Sequence, residues 1–208
     1  MGSNRGVNEY NIVIASVGGQ GGLTLSRIIG YAALLEGYNV RIGETLGMSQ
    51  RGGVVQSYVR FGYRVLSPLI PHGKADVVLG LEPVEALRAA RSFANKNTLI
   101  IVNTEPIHTI TTLIGREEYP SVESVIAELR KISNNVYAIN ASQIAREAGL
   151  PMATNIVLLA LYAVTKYNPL KTKSYIEGIR TFIRRKVEEN IRLFNQVMNK
   201  FKEKRFLP

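Results

Sequence analysis

Four glycines fall within five residues at positions 18–22, inside the stretch Val17-Gly18-Gly19-Gln20-Gly21-Gly22-Leu23-Thr24. An apolar run, Ile12-Val13-Ile14-Ala15, precedes them. Behind them Leu25, Ile28, Ile29, Ala32 and Leu35 recur at helical spacing. Strand, glycine turn and helix in this order aim backbone N–H groups and the positive end of a helix dipole at one point, which suits an anion. Glycine there permits positive φ and lets a phosphate come close to the backbone. The loop is not a standard fingerprint, however. A dinucleotide loop wants glycine at its first, third and sixth places, where this chain has Ser16, Gly18 and Gly21. No Gly-Lys-Ser/Thr follows, so it is not a Walker A loop. A tight turn without a ligand and a phosphate or nucleotide site both remain open from the loop alone.

Asn11 to Ser16 reads as a buried parallel strand and Leu23 to Glu36 as a helix capped by Gly37. Asn39 to Ile42 completes a βαβ unit, which predicts a right-handed crossover and a parallel sheet. The block Glu44-Thr45-Leu46-Gly47-Met48-Ser49-Gln50-Arg51-Gly52-Gly53 follows at the strand end, where open α/β sheets bind ligands. The planar fork of Arg51 can clamp a phosphate or carboxylate, with Ser49 and Gln50 as neutral donors. An ordered surface loop with Arg51 paired to Glu44 is the plainer reading.

Val54 to Phe61 alternates like a half-exposed strand, and Gly62-Tyr63-Arg64 turns it toward Val65-Leu66 as a hairpin. Buried strands are expected at Ala75–Leu81, Thr98–Val102 and Val136–Ile139. Helices are expected after Pro83, after the cap Ser121 as far as Ile132, over Ala141–Ala148, and over the apolar segment Pro151–Val164, with Asn155 as a capping residue. Glu105 to Pro120 carries no firm pattern. Two further helices fit Lys173–Phe182 and Arg184–Lys204. Ile183, Val187, Ile191, Phe194, Met198 and Phe201 form an amphipathic packing or subunit face. Residues 9–165 read as one α/β domain and 166–208 as a helical extension packed on it or on a partner.

The 208 residues carry a net charge of +10, and nine Lys or Arg stand against three Glu between Arg180 and Arg205. Basic excess favours an anionic partner, yet no zinc knuckle, helix-turn-helix or aromatic-basic RNA pattern accompanies it. There are no cysteines, so this chain supplies no thiolate to a cluster, a zinc site or a disulfide. His72 and His108 lie in separate segments and suit surface or loop roles. No apolar stretch is long enough to span a membrane and none resembles a signal-peptide core, so a cytoplasmic chain is expected.

Several of these segments together resemble a known family. Ser16-Val17-Gly18-Gly19-Gln20-Gly21 is similar to the glycine loop that opens the gamma domain of 2-oxoacid:ferredoxin oxidoreductases, with Ser16 standing where that family usually has glycine. Glu44 through Arg60, with its Gly-Met-Ser-Gln-Arg-Gly-Gly core, resembles the next family block. That core, Ser67-Pro68-Leu69-Ile70-Pro71 and the run Ala75 to Ala86 most resemble the beta subunits of indolepyruvate:ferredoxin oxidoreductases. Pro151 to Ala160, with Thr154-Asn155 leading an apolar helix, also fits.

The resemblance implies an α/β fold with an open, mostly parallel sheet flanked by helices. It implies the small subunit of an enzyme that oxidatively decarboxylates an aryl 2-oxoacid, forms an acyl-CoA and reduces ferredoxin. Thiamine diphosphate and iron–sulfur clusters would sit on a large alpha subunit. This chain would help bind coenzyme A, holding no covalent intermediate and no catalytic residue of its own. The implied cofactor-binding residues are Gly18, Gly19, Gln20, Gly21, Gly22, Thr24, Glu44, Ser49, Gln50, Arg51, Gly52, Gly53 and Asn155. The five loop residues from Gly18 to Gly22 are expected to offer backbone donors to phosphate. Neither nucleic acid nor membrane is an expected partner. The competing readings are a gamma subunit of a pyruvate-type relative, a basic nucleic-acid binder, and a stand-alone Rossmann protein with Glu44 as its ribose-binding acid.

Overall fold

The computed structural model describes residues 7–46, 53–107 and 119–203. Six strands build one sheet: β1 Tyr10–Val17, β2 Asn39–Leu46, β3 Val54–Gly62, β4 Val77–Gly80, β5 Leu99–Asn103 and β6 Asn135–Ile139. Their order is β2-β3-β1-β4-β5-β6. The β1, β4, β5 and β6 pairs are parallel, whereas β3 runs antiparallel to both β1 and β2. Five strands therefore point one way and β3 alone opposes them.

Seven helices are described: α1 Gly22–Leu35, α2 Pro83–Phe93, α3 Val122–Ile132, α4 Ala141–Glu147, α5 Thr154–Ala163, α6 Thr172–Phe182 and α7 Val187–Glu203. The pleat of β1 sends Ile12 and Ile14 into a core shared with α1, α4, α5, α6 and α7, and Val13 and Ala15 into a second core under α2 and α3. Helix α5 is buried along its whole length. It lies between the sheet and α7, which is why its sequence is apolar on every face. The periodic face of α7 packs inside this chain: Ile191, Phe194 and Phe201 are buried, with Ile183, Val187 and Met198 against them.

Two expectations change. β2 does not lie beside β1, because β3 sits between them and joins β2 as the hairpin that the sequence had suggested between β3 and Val65-Leu66. Nor is β3 half-exposed, since Ser57 to Gly62 are buried. Its polar residue Arg60 is 8% exposed, and four of its five N–H donors are paired. Its Nε donates to Asn11 Oδ1 at 2.8 Å, Nη1 to the carbonyls of Ser67 at 2.9 Å and Leu69 at 2.6 Å, and Nη2 to Glu9. A buried guanidinium is tolerated where each of its nitrogens finds an acceptor, as here.

The other anticipated elements stand within a few residues of their expected bounds. Gly37 has φ +83 at the end of α1, and Ser121 Oγ accepts the N–H of Ser124 at 3.2 Å. His72 is exposed and stacks on Phe93 at 5.8 Å. His108 lies outside the described residues. No described helix is long and apolar enough to cross a membrane.

Candidate functional site

The glycine loop joins β1 to α1 at the C-terminal end of the parallel strands. Gly21 is the residue just before α1 and has φ +81, a conformation that favours glycine. Gly22 faces Ser16: a Cβ on Gly22 would come within 2.4 Å of Ser16 Oγ, which donates to the Val55 carbonyl at 3.2 Å. The serine in the first place of the motif is thus accommodated by the glycine six positions on.

Not every backbone donor of the loop is free. Gly18 N–H donates to the Gly53 carbonyl at 2.9 Å, and Gln20 N–H closes a turn onto the Val17 carbonyl at 3.1 Å. These two are corrections to a loop in which all five residues present donors. The N–H groups of Gly19, Gly21, Gly22, Leu23 and Thr24 have no acceptor among the described residues. The four from Gly21 to Thr24 are the orphan donors expected at the start of a helix, and Gly19 adds a fifth from the loop itself.

The Gln20 side chain is committed as well. Its Oε1 accepts the Val17 N–H at 2.7 Å and its Nε2 donates to the Leu81 carbonyl at 3.0 Å. Val17 ends β1 and Leu81 follows β4. These neighbouring parallel strands lead into α1 and α2 on opposite faces of the sheet. That junction is the topological switch point, where an open α/β sheet ordinarily receives its nucleotide. Here an amide fills it.

Asn155 stands in the first turn of α5. It does not cap the helix, because Ala153 holds that position. Instead Asn155 Nδ2 donates to the Gly21 carbonyl at 3.2 Å, and Oδ1 accepts the Ile156 N–H at 2.9 Å. Glu44 lies exposed on β2, in register with Ser57, which in turn is opposite Ile14. It is two strands away from β1, about 10 Å across the sheet. A Rossmann ribose acid needs to stand beside the glycine loop, so this geometry counts against the stand-alone reading. Gly53 is described and accepts from Gly18. Ser49, Gln50, Arg51 and Gly52 lie outside the described residues.

Two clefts flank Gly19. One, of about 490 Å³, runs from Gly19, Gly21 and Thr24 past Leu150–Ala153 and Asn155 to the α6–α7 turn at Ile183, Arg185 and Lys186. The other, of about 280 Å³, lies between the loop and Glu105, Ser142 and Arg146. Pro151 and Met152 border both, and Met152 is 77% exposed. Arg146 grips Glu105 with two bonds of 2.6 Å, and this hydrogen-bonded fork holds the Glu105 carboxyl below its usual range. Sequence reasoning missed Arg185 and Lys186, which read as part of a solvated basic face. Nothing local distinguishes a cation over a cleft from one over open water.

Beside the switch point, Glu82 caps α2 by accepting the Glu85 N–H at 2.9 Å, and it also accepts the Tyr119 hydroxyl. Glu85 is 6% exposed with Oε2 unpartnered. Burial pushes its carboxyl up, against the pull of Arg88, and Glu82 adds to the rise.

Residues 11–200 match the pyruvate ferredoxin/flavodoxin oxidoreductase family. The chain belongs to that family. Within it, the chain is 46% identical over 179 residues to indolepyruvate oxidoreductase subunit IorB of Archaeoglobus fulgidus, covering 86% of this chain and 88% of that one. Solved structures share the fold. The gamma subunit of a keto/oxoacid ferredoxin oxidoreductase from Geobacter sulfurreducens superposes with a TM-score of 0.64 at 20% identity, over 93% of this chain and 96% of that one. The 2-oxoglutarate:ferredoxin oxidoreductase of Magnetococcus marinus, solved with 2-oxoglutarate, coenzyme A and succinyl-CoA bound, gives 0.67 at 18% identity, over 95% of this chain and 31% of that longer one. The family suggested by the glycine loop and the Glu44–Arg60 block is therefore the family found. Its members named here are subunits or segments of oxidoreductases, and this chain is an oxidoreductase subunit of the same kind.

Proposed function

We propose that this chain is the small subunit of an indolepyruvate or other aryl 2-oxoacid:ferredoxin oxidoreductase. The observation that carries the reading is the 46% identity to an indolepyruvate oxidoreductase subunit across nearly the whole of both chains. The partner is an alpha subunit that carries thiamine diphosphate and iron–sulfur clusters, and ferredoxin takes the electrons from the assembled enzyme. A chain with no cysteine suits that division of labour, because cluster ligands are thiolates. Residues 9–165 form the α/β part of the subunit and 166–208 its helical extension.

Coenzyme A meets this chain at the glycine loop. The residues fit such a group: the N–H groups of Gly19 and of the run Gly21 to Thr24 are without an acceptor among the described residues, and an apolar-walled cleft opens beside them. Coenzyme A supplies the thiol that accepts the acyl group. The chain's own contribution is positional, holding phosphate against the backbone donors of Gly19, Gly21 and Gly22 so that the thiol end is directed toward the alpha subunit. Arg51, Ser49 and Gln50 complete the proposed set of polar groups for this ligand, and Gly53, which follows them in the sequence, is tied to the glycine loop by the Gly18–Gly53 bond.

The test is purification of the tagged chain from its native cell extract. Recovery of a large cysteine-rich subunit with thiamine diphosphate and clusters supports the assignment, and recovery of a lone chain retaining a nucleotide overturns it. Arg51→Ala in the complex addresses coenzyme A: loss of CoA-dependent turnover with association intact is the expected outcome. Unchanged apparent CoA affinity counts against that part.

A further inference from the structure

The larger cleft has a wall that the glycine loop does not supply. Helix α6 ends at Phe182 and α7 begins at Val187, and the turn between them brings Ile183, Arg185 and Lys186 to the cleft. We propose that Arg185 and Lys186 form a phosphate clamp for an organic ligand that pairs a phosphate end with an apolar arm. The clamp deepens the coenzyme A reading and rests on it.

Three observations carry it. The first is charge. Arg180 pairs with Glu188 at 2.6 Å, but neither Arg185 nor Lys186 has a carboxylate or other hydrogen-bond partner for its side chain among the described residues. Two adjacent cations with no acid to neutralise them, over a partly enclosed cleft, attract an anion more strongly than the same charges on an open surface.

The second is backbone conformation. Lys186 has φ +53 and is the only described non-glycine residue with positive φ. A lysine held there is disfavoured relative to a relaxed backbone. The conformation is locked from below: the Lys186 carbonyl accepts both the N–H of Asn190 at 3.0 Å and its Nδ2 at 2.8 Å. Asn190 itself is 7% exposed. Glycine would take this conformation without steric cost, so the turn itself does not require the lysine side chain that lines the cleft.

The third is the rest of the lining. Leu150, Pro151, Met152 and Ala153 add a mostly apolar run to the same lining. A volume of about 490 Å³ lies within the range of small-molecule sites. A phosphate together with an uncharged arm is the ligand chemistry this lining fits.

The experiment uses the assembled two-subunit enzyme and coenzyme A as probe. Lys186→Gly removes the charge while suiting the positive φ, so its melting temperature stays level or rises. Arg185→Ala removes the neighbouring charge. The double variant is expected to raise KM for CoA about tenfold, the scale of one lost charge-assisted bond. KM for the oxoacid holds, and excess CoA restores turnover. A folded double variant whose KM for CoA changes less than twofold overturns the clamp. Gly19→Asp separates this from the parent reading, because it sets a negative charge in open space at the loop, and Gly19→Ala, which carries the same strain at φ +102 without the charge, is its control. If Gly19→Asp weakens CoA and the clamp variants do not, only the clamp falls. If neither affects CoA, the coenzyme A reading falls with it.

Discussion

Asn155 on α5 donates to the carbonyl of Gly21 at 3.2 Å across 134 positions of sequence. The bond fixes the glycine loop to the most deeply buried helix of the subunit, so the loop's shape is set by the core rather than by its own few residues. Gly21→Ala meets two obstacles: φ +81, and an added Cβ only 2.6 Å from Asn155 Nδ2. It is expected to lower stability by about 1–3 kcal/mol in denaturant unfolding. Adding Asn155→Ala relieves the close contact but not the backbone strain. The double variant therefore stays below Asn155→Ala alone. Equal stability of those two would show that strain at Gly21 is absent.

Gln20→Glu tests the plug at the switch point. Gln20 Nε2 donates to the Leu81 carbonyl, and a carboxylate there would place two acceptors face to face. The variant is expected to lose about 1–3 kcal/mol at neutral pH and to recover part of it on acidification, when the acid can donate. Stability that is independent of pH relative to the parent would show that the amide hydrogen is not used.

Glu85 gives a pH dependence of its own. Its folded pKa is raised, chiefly by burial, so the folded state binds a proton more readily than the unfolded one. The stability associated with that proton is present at pH below the ordinary glutamate value and is lost as pH rises through the raised folded value. Glu85→Gln is expected to be more stable than the parent at neutral pH, with the difference shrinking toward acid. Thermal melts from pH 4 to pH 8 measure it, and a difference that grows on acidification would contradict it.

Phe194→Ala probes the union of the two halves of the chain. Phe194 is fully buried in the same core as Ile12 and Leu25, and truncation is expected to cost about 3–5 kcal/mol. Chemical denaturation should show one transition moving to lower denaturant. A separate early transition would mean that residues 166–208 melt independently.

Much of this architecture is legible in the residues. The apolar runs around Ile12, Val77 and Leu99 have little choice but a central strand, and Ser121 and Gly37 mark helix ends by local chemistry alone. β3 was less legible because Gln56, Ser57 and Arg60 imitate an exposed face. Arg60 is held by Asn11 and Glu9, some fifty positions earlier in the sequence, which a reading of β3 alone does not supply. Gln20 was legible as a loop residue but not as a plug, since Leu81 reaches it only after β4 is in place. Arg185 and Lys186 belong to the cleft through tertiary packing, which periodicity does not record.

The reversed direction of β3 has one more consequence. Because β2 and β3 close on each other as a hairpin, residues 39–62 enter and leave the sheet at the same end. The segment behaves as a cassette: its tip can lengthen, shorten or change chemistry without re-routing a crossover helix. The parallel strands and their glycine loop would then serve as a constant chassis. The freedom stops at β3 itself, which is paired with β1 along its length and bound through Arg60 to Glu9 and Asn11, so any exchange of the arm has to carry those partners with it.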